Sequence, residues 1–351
     1  MMFCFTCFQT SNTCNIGDDI QTIALLRLIC DTAHENFDEV QYDLSFVPDH
    51  MNLSSRVIEL CFKAKKGTDS KNSVVVRPVF VERDRYKETC NVDKKYIYGW
   101  HQHKIDGGYQ TGILRDGEQN VFLSFHVSKE LRAYLEKNPT ICSQYQKFAP
   151  IACRDPGTEQ FFKAHNIDAH CTFCITLSMK NAYPNESMQR KKVLYVDANC
   201  NSREFELHNK EFLTHANSEF YSWTCSRRLN HAQNLLDEYA CAAYVVTSRI
   251  HCALPCIAFG TPVRFVNSDG NPVLTPTKSD NFYAPERLEG FIDLFRLNNQ
   301  DNQKVVGQFC HAIRSNFMAA IRVDMEKSSS VWSEKIAECS SSLKSILENF
   351  S

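Results

Sequence analysis

From its first residues to about residue 266, the chain repeats one pattern: a short apolar run, a polar turn, then a segment with helical spacing. Such alternation predicts strands joined by helices, hence an α/β fold with a mainly parallel sheet. Met2–Phe8 reads as a strand, Thr10–Gly17 as a loop and Asp19–Ala33 as a mostly buried helix. Ser54–Ala64 predicts a second helix, and Val74–Val81 a strand that Pro78 places at an edge or a bulge. Lys95–Trp100 and Val121–His126 read as further strands, and Ser128 opens a helix that Asn138–Pro139 ends.

A second half begins near Pro150. Ile151–Arg154 predicts a strand, Asp155–Pro156 a turn that starts a helix over Thr158–His165, and Cys171–Ser178 and Val193–Val196 two more strands. Ser226–Tyr239 has Leu229, Ala232, Leu235, Leu236 and Tyr239 on one helical face. Ala242–Thr247 is a buried strand, Cys252–Phe259 an apolar helix capped by Gly260, and Val263–Val266 the next strand. Asn267–Pro285 is a turn-rich loop, and Gln303–Met325 and Val331–Phe350 predict closing helices. The expected units are residues 1–149, residues 150–325, and a C-terminal helix over 326–351 that packs back on the body.

Composition narrows the class. Hydrophobic residues make up 43% and charged residues 23% of 351 positions, as in folded globular proteins. With 39 Lys+Arg against 41 Asp+Glu, the chain lacks the basic excess of a duplex binder, so no nucleic-acid partner is expected. Any anion must be met by locally placed cations and main-chain amides. The 17 cysteines are scattered, and several (Cys4, Cys30, Cys241, Cys256) lie in apolar stretches, so they read as reduced, buried thiols. No apolar run approaches the ~20 residues of a membrane span, and the N-terminus has no basic leader, which makes the cytoplasm the expected location.

In parallel sheets, ligands gather at the carboxyl ends of strands, where helix N-termini present amides. Four strand ends here carry candidate chemistry. Asn15–Ile16–Gly17–Asp18 follows the first strand: Gly17 allows close backbone approach, and Asp18 or Asp19 reads either as a helix cap or as part of a substrate contact. Cys153–Arg154–Asp155–Pro156 places Arg154 beside a new helix N-terminus, for an anion or for a salt bridge to Asp155 or a neighbouring carboxylate. Thr247–Ser248–Arg249–Ile250–His251 follows a buried strand. In an extended backbone Arg249 and His251 project to one side, a forked cation beside an imidazole, suited to a carboxylate or phosphate with a proton transfer. The alternative is a structural Arg–His pair. His126 ends the fourth strand, as a ligand contact or as a satisfied structural histidine.

Metal chemistry is not expected. Cys4-x-x-Cys7 and Cys171-x-x-Cys174 fall within predicted strands rather than knuckle turns, and His101-x-His103 has no local third ligand.

These segments together resemble the polysaccharide pyruvyl transferase family, in the family's order. Asn15–Ile16–Gly17–Asp18–Asp19–Ile20–Gln21 is similar to its N-terminal motif, Cys153–Arg154–Asp155 with Thr158 to its central C-R-D-x-x-T motif, and Cys174–Ile175–Thr176–Leu177–Ser178 to the short strand that usually follows. Thr247–Pro255, continuing to Gly260–Val263, is the closest match. Tyr98–Gly99–Trp100 resembles an N-G-W motif with Tyr replacing Asn; Ile250 replaces the commoner Leu; residues 34–73 form a longer insertion; Arg287 and Gly290 resemble an R-x-x-G motif.

The resemblance implies two Rossmann-like domains in a GT-B-like arrangement around a central cleft, with the acceptor on the first domain and the donor on the second. The implied reaction moves the enolpyruvyl carbons of phosphoenolpyruvate onto a saccharide as a ketal and releases phosphate. Arg154 and Arg249 would grip the donor, and His251 would contact it and transfer a proton. Asn15, Gly17, Asp18, Ser248, His126 and Arg287 complete the expected substrate contacts. No cofactor is implied, phosphoenolpyruvate being the co-substrate. A GT-B-like glycosyltransferase with a nucleotide-sugar donor is the alternative enzyme, and a catalytically silent sugar-binding protein the alternative to an enzyme.

Overall fold

The computed structural model describes residues 2–9, 13–37, 39–44, 53–54, 57–58, 61, 73–82, 95–101, 104–105, 108–109, 120–179, 183, 192–199, 209–267, 288, 291 and 294–295. The turn-rich 267–285 loop after its first residue, Arg287, Gly290, His103, the closing helices and most of the 54–64 helix lie outside them.

The first strand, β1 (Met2–Gln9), leads into helix α1 (Gly17–Asn36). The short strand β2 (Glu39–Tyr42) and β3 (Ser73–Glu82) follow, and all three are parallel in the order β1-β3-β2. β3 is therefore the central strand of the three, where Pro78 had suggested an edge or a bulge. The main chain of Val76 faces β2, since its carbonyl accepts from Asp43 N at 3.0 Å. Pro78, two residues on, faces the same way, and β2 has already ended at Tyr42, opposite Val76. The missing N–H thus falls where no ladder bond is needed, and Pro78 sits at a local edge within a central strand.

Strand β4 (Lys95–His101) precedes a small hairpin, β5 (Lys104–Ile105) and β6 (Gly108–Tyr109), and then β7 (Asn120–Val127). Helix α2 (Lys129–Lys137) is capped by Ser128, whose hydroxyl accepts from Leu131 N, and the short α3 (Pro139–Cys142) leads to β8 (Ile151–Cys153). Helix α4 (Pro156–Ala164) starts as its sequence predicts, with Asp155 accepting from Thr158 N and Pro156 in the first turn. β9 (Ala169–Cys171) completes a parallel sheet β4-β7-β8-β9. The two sheets meet at β1 and β4, where Tyr96 N donates to Thr6 Oγ1 at 3.0 Å and Phe8 N to Tyr98 Oη at 2.7 Å. Both bonds advance in step along the two strands, so β1 and β4 point the same way and the β2-β3-β1 and β4-β7-β8-β9 sheets lie side by side.

After Pro150, β8 bonds onto β7 and β9 onto β8. The next sheet begins with β10 (Lys192–Val196). β11 (Asn209–Leu213), α5 (Cys225–Cys241), β12 (Ala242–Thr247), α6 (Ile250–Phe259) and β13 (Val263–Phe265) follow, with the parallel strand order β11-β10-β12-β13. Parallel sheets wrapped by helices fit a Rossmann-like arrangement. Leu229, Leu235, Leu236 and Tyr239 are fully buried on α5, as their spacing predicts, each worth roughly 1.5–3 kcal/mol of apolar burial. Gly260 ends α6 at φ 68°, a conformation that favours glycine.

Residues 172–179 do not form the strand expected over Cys171–Ser178. After β9 the chain turns at Phe173, φ 57°, into a 3-10 turn over Ile175–Met179 that packs on both α1 and α6. All of Thr172–Met179 is buried, and a fully buried apolar run carries no periodicity to separate a strand from another compact form. Cys174 is accordingly outside any strand, and Cys241, expected inside, is exposed at the end of α5; Cys4, Cys30 and Cys256 are buried as expected. Among the described residues, no helix is long and apolar enough to cross a membrane.

Candidate active site

The order β11-β10-β12-β13 reverses direction between β10 and β12, which opens a crevice at their carboxyl ends. Asp197 follows β10, Thr247 ends β12, and Ser248–Arg249 follow it. Arg249 Nε donates to Asp197 Oδ2 at 2.7 Å, and the guanidinium remains partly open, with 36% of the side chain exposed. Ser248 Oγ donates to the Asp197 carbonyl at 2.6 Å, which ties the two strand ends together. Burial pushes the Asp197 carboxyl up, but hydrogen bonds from Thr214 and His215 and the Arg249 charge outweigh it and hold the group below the usual carboxylate range.

The extended pairing of Arg249 with His251 does not form. Arg249 is the N-cap residue of α6, at φ −104° and ψ 121°, while Ile250 and His251 are already helical. A helix turns successive side chains by about 100°, so residues two apart do not share a face. His251 is instead buried against the N-terminus of α1. A Cβ on Gly17 would lie 2.6 Å from His251 Nδ1 and 3.2 Å from its Cβ, so only glycine permits this approach. The N-terminal motif and the segment after β12 therefore meet directly.

Neither Asp18 nor Asp19 caps α1. Asn15 Oδ1 accepts from Gly17 N at 2.9 Å, and the N-cap position, Ile16, makes no side-chain cap bond. Asp18 is half-buried and accepts from Gln21 Nε2 at 3.2 Å. Asp19 has a different task. It receives Arg228, from α5, at 2.6 Å (Nη2) and at 3.1 and 3.2 Å (Nε), and Arg228 also donates to the carbonyls of Thr13, Asn15 and Phe220. All five donors of this buried guanidinium are used. Burial outweighs Arg228 and lifts the Asp19 carboxyl to about 6. Ile16 N donates to His215 O at 2.9 Å and Asn217 N to Cys14 O at 3.1 Å, adding main-chain bonds to the same junction.

The carboxyl ends of β7 and β8 supply a third group. His126 Nδ1 bonds Asp155 Oδ2 at 2.5 Å, both fully buried. Asp155 also accepts from Thr158 N at 2.9 Å, Thr158 Oγ1 at 3.0 Å and Arg132 Nη2 at 3.4 Å. Burial raises its pKa, but His126, Arg154 and the Thr158 N–H outweigh that and hold it low. Arg154 makes no hydrogen bond to Asp155, so the salt bridge weighed from sequence is not how its guanidinium is satisfied. Its side chain is 0% exposed, and Nε, Nη1 and Nη2 all have no hydrogen-bond partner among the described residues. Buried polar groups are nearly always paired, so a wholly unmet guanidinium marks a place built for an anion.

Gly99, at φ 80°, lies against Gln21, where an added Cβ would be 3.2 Å from Oε1. Beside it, the Tyr98 hydroxyl contacts Phe8 N and Thr22 Oγ1, which joins β1, α1 and β4. Asp197, Arg228 and the Asp155 network were not read from the sequence. Most of their partners lie from 17 to 215 positions away, and only the D-P-x-T helix start gave a local signal, for Asp155.

No curated protein matches the chain. The family model for polysaccharide pyruvyl transferase matches residues 15–270, a span that contains Gly17, Arg154, Arg249 and His251 together, and the chain belongs to that family.

Proposed function

We propose that the chain is a transferase that moves the enolpyruvyl carbons of phosphoenolpyruvate onto two hydroxyls of a saccharide as a cyclic ketal, releasing phosphate. The buried, unmet guanidinium of Arg154 carries this reading: it calls for a strongly anionic ligand, and phosphoenolpyruvate offers both a carboxylate and a phosphate. Arg249 supplies a second, partly exposed cation. Arg154 follows β8 of the β4-β7-β8-β9 sheet and Arg249 follows β12 of the β11-β10-β12-β13 sheet, so a donor held by both would lie between two Rossmann-like halves, as in a GT-B-like cleft.

In this reaction a proton goes to the methylene carbon of the donor, one acceptor hydroxyl bonds to the adjacent carbon, and the bond from that carbon to the phosphate oxygen breaks. The second hydroxyl then closes the ring. His251, enclosed by Gly17 and the apolar α6, is the residue assigned to the proton, a contribution of about 10²–10⁴-fold. The arginines favour departure of phosphate electrostatically. A nucleotide-sugar donor would need a carboxylate to hold a ribose. Asp197, at the strand end where one would be sought, is already occupied by three donors.

The test is phosphate release from phosphoenolpyruvate in the presence of galactose-, glucose- and N-acetylhexosamine-containing acceptors. Release by the wild type and its loss in Arg249→Ala are expected. No release with any acceptor, while another member of the family works in parallel, would falsify the assignment.

A further inference from the structure

We propose that Asp197 is a positioning residue that aims Arg249, holding it by Nε so that its two terminal nitrogens form the fork that grips the donor anion. This rests on the donor reading above.

A guanidinium offers two edges to a planar anion, one made of Nε and one Nη, the other of both Nη atoms. Asp197 Oδ2 takes Nε at 2.7 Å, and neither terminal nitrogen of Arg249 has a hydrogen-bond partner among the described residues. The second edge is thereby left for a ligand, on a side chain that is partly open. A long arginine on a strand end otherwise samples many rotamers, and fixing it beforehand removes an entropy cost from binding.

Asp197 is itself held on every side. Thr214 Oγ1 donates to Oδ1 at 2.6 Å, His215 N to Oδ2 at 2.8 Å, and Ser248 Oγ to the carbonyl at 2.6 Å. Its own N–H donates to Leu213 O at 3.1 Å, and its backbone stands at φ 47°, a conformation few residues hold unless their surroundings impose it. A carboxylate accepting from three donors is a poor base, so its use is orientation rather than proton transfer. His215 adds a connection. Its N–H fixes Asp197, and its carbonyl accepts Ile16 N, beside the Gly17 on which His251 packs. The aim of Arg249 and the place of His251 thus share one frame.

Calorimetric titration of the full chain with phosphoenolpyruvate tests this, using wild type, Asp197→Asn, Arg249→Lys and the double variant. Asp197→Asn keeps the shape and should weaken binding about tenfold or more, as loss of an orienting partner does elsewhere. In the Arg249→Lys background, where there is no Nε to hold, the same change should add less than about twofold. Equal weakening in both backgrounds would mean a merely structural role and overturn the proposal. So would near-unchanged affinity in Asp197→Asn while Arg249→Ala abolishes binding, a result that leaves the donor reading standing. If the wild type binds no phosphoenolpyruvate, the donor reading itself falls, and the proposal with it. Should Asp197→Asn fail to fold, Thr214→Val removes only the hydroxyl that steers Asp197. Weakening of about threefold, absent in the Arg249→Lys background, then supports the proposal, and no change overturns it.

Discussion

Arg154 and Asp155 are neighbours with opposite fates. Asp155 is surrounded by His126, Thr158 and Arg132, whereas the Arg154 guanidinium is enclosed with no hydrogen bond among the described residues. A buried guanidinium with no hydrogen-bond partner is a stability cost that persists only where a ligand or function repays it. Arg154→Met should therefore leave stability equal or raise it by about 1–4 kcal/mol, while removing the donor response. Thermal denaturation with and without phosphoenolpyruvate checks both halves. The wild-type Tm should rise with ligand, and the variant's Tm should start at or above the wild-type value and stay there. A large fall in Tm without ligand would show that Arg154 is part of the framework.

At the scale of elements, α1 is fastened to α5 by the Asp19–Arg228 pair, and the turn before α1 is fastened to the end of β11. Removing one partner of such a pair leaves the other buried and unmet, so Arg228→Met should cost roughly 3–5 kcal/mol by chemical denaturation. Replacing both, as in Arg228→Met with Asp19→Leu, should recover most of that loss. If the single variant costs less than about 1 kcal/mol, the pair does not fasten these helices. Local sequence foresaw the elements well where pattern and cap agree, as in Ser128 before α2, Asp155–Pro156 before α4 and the apolar face of α5. It failed where burial is complete, at 172–179, and where the strand is short or polar, as in β2 and β11. A five-residue edge strand, Asn-Lys-Glu-Phe-Leu, shows mostly exposed or half-buried positions and no apolar run.

At the scale of the molecule, His215 joins the second sheet to α1 and is fully buried, its Nε2 2.5 Å from Tyr239 Oη. Burial lowers its pKa to about 3, below the value in an unfolded chain, so the folded state holds it neutral. The unfolded chain then binds the extra proton first as acid is added. Stability present above about pH 6.5 should be lost as pH falls toward 3, by up to about 1.4 kcal/mol per pH unit from this one group. Urea denaturation at pH 7 and pH 5 measures it. His215→Gln should flatten the slope between these values relative to wild type, and an unchanged slope would remove His215 as its source.

What the sequence determined by itself was local: alternation that made an α/β chain, helix starts written in adjacent residues, and motifs whose order matches the polysaccharide pyruvyl transferase family across residues 15–270. Those properties depend on neighbours within a few positions, where spacing and main-chain chemistry act directly. Tertiary structure alone decided what each charged group is for. Asp19 met Arg228 rather than a helix end, Asp155 met His126 rather than Arg154, and Asp197 met Arg249. Burial and pairing energies depend on distances in space, and positions 209 apart in the chain have no local trace of being 2.6 Å apart in the fold.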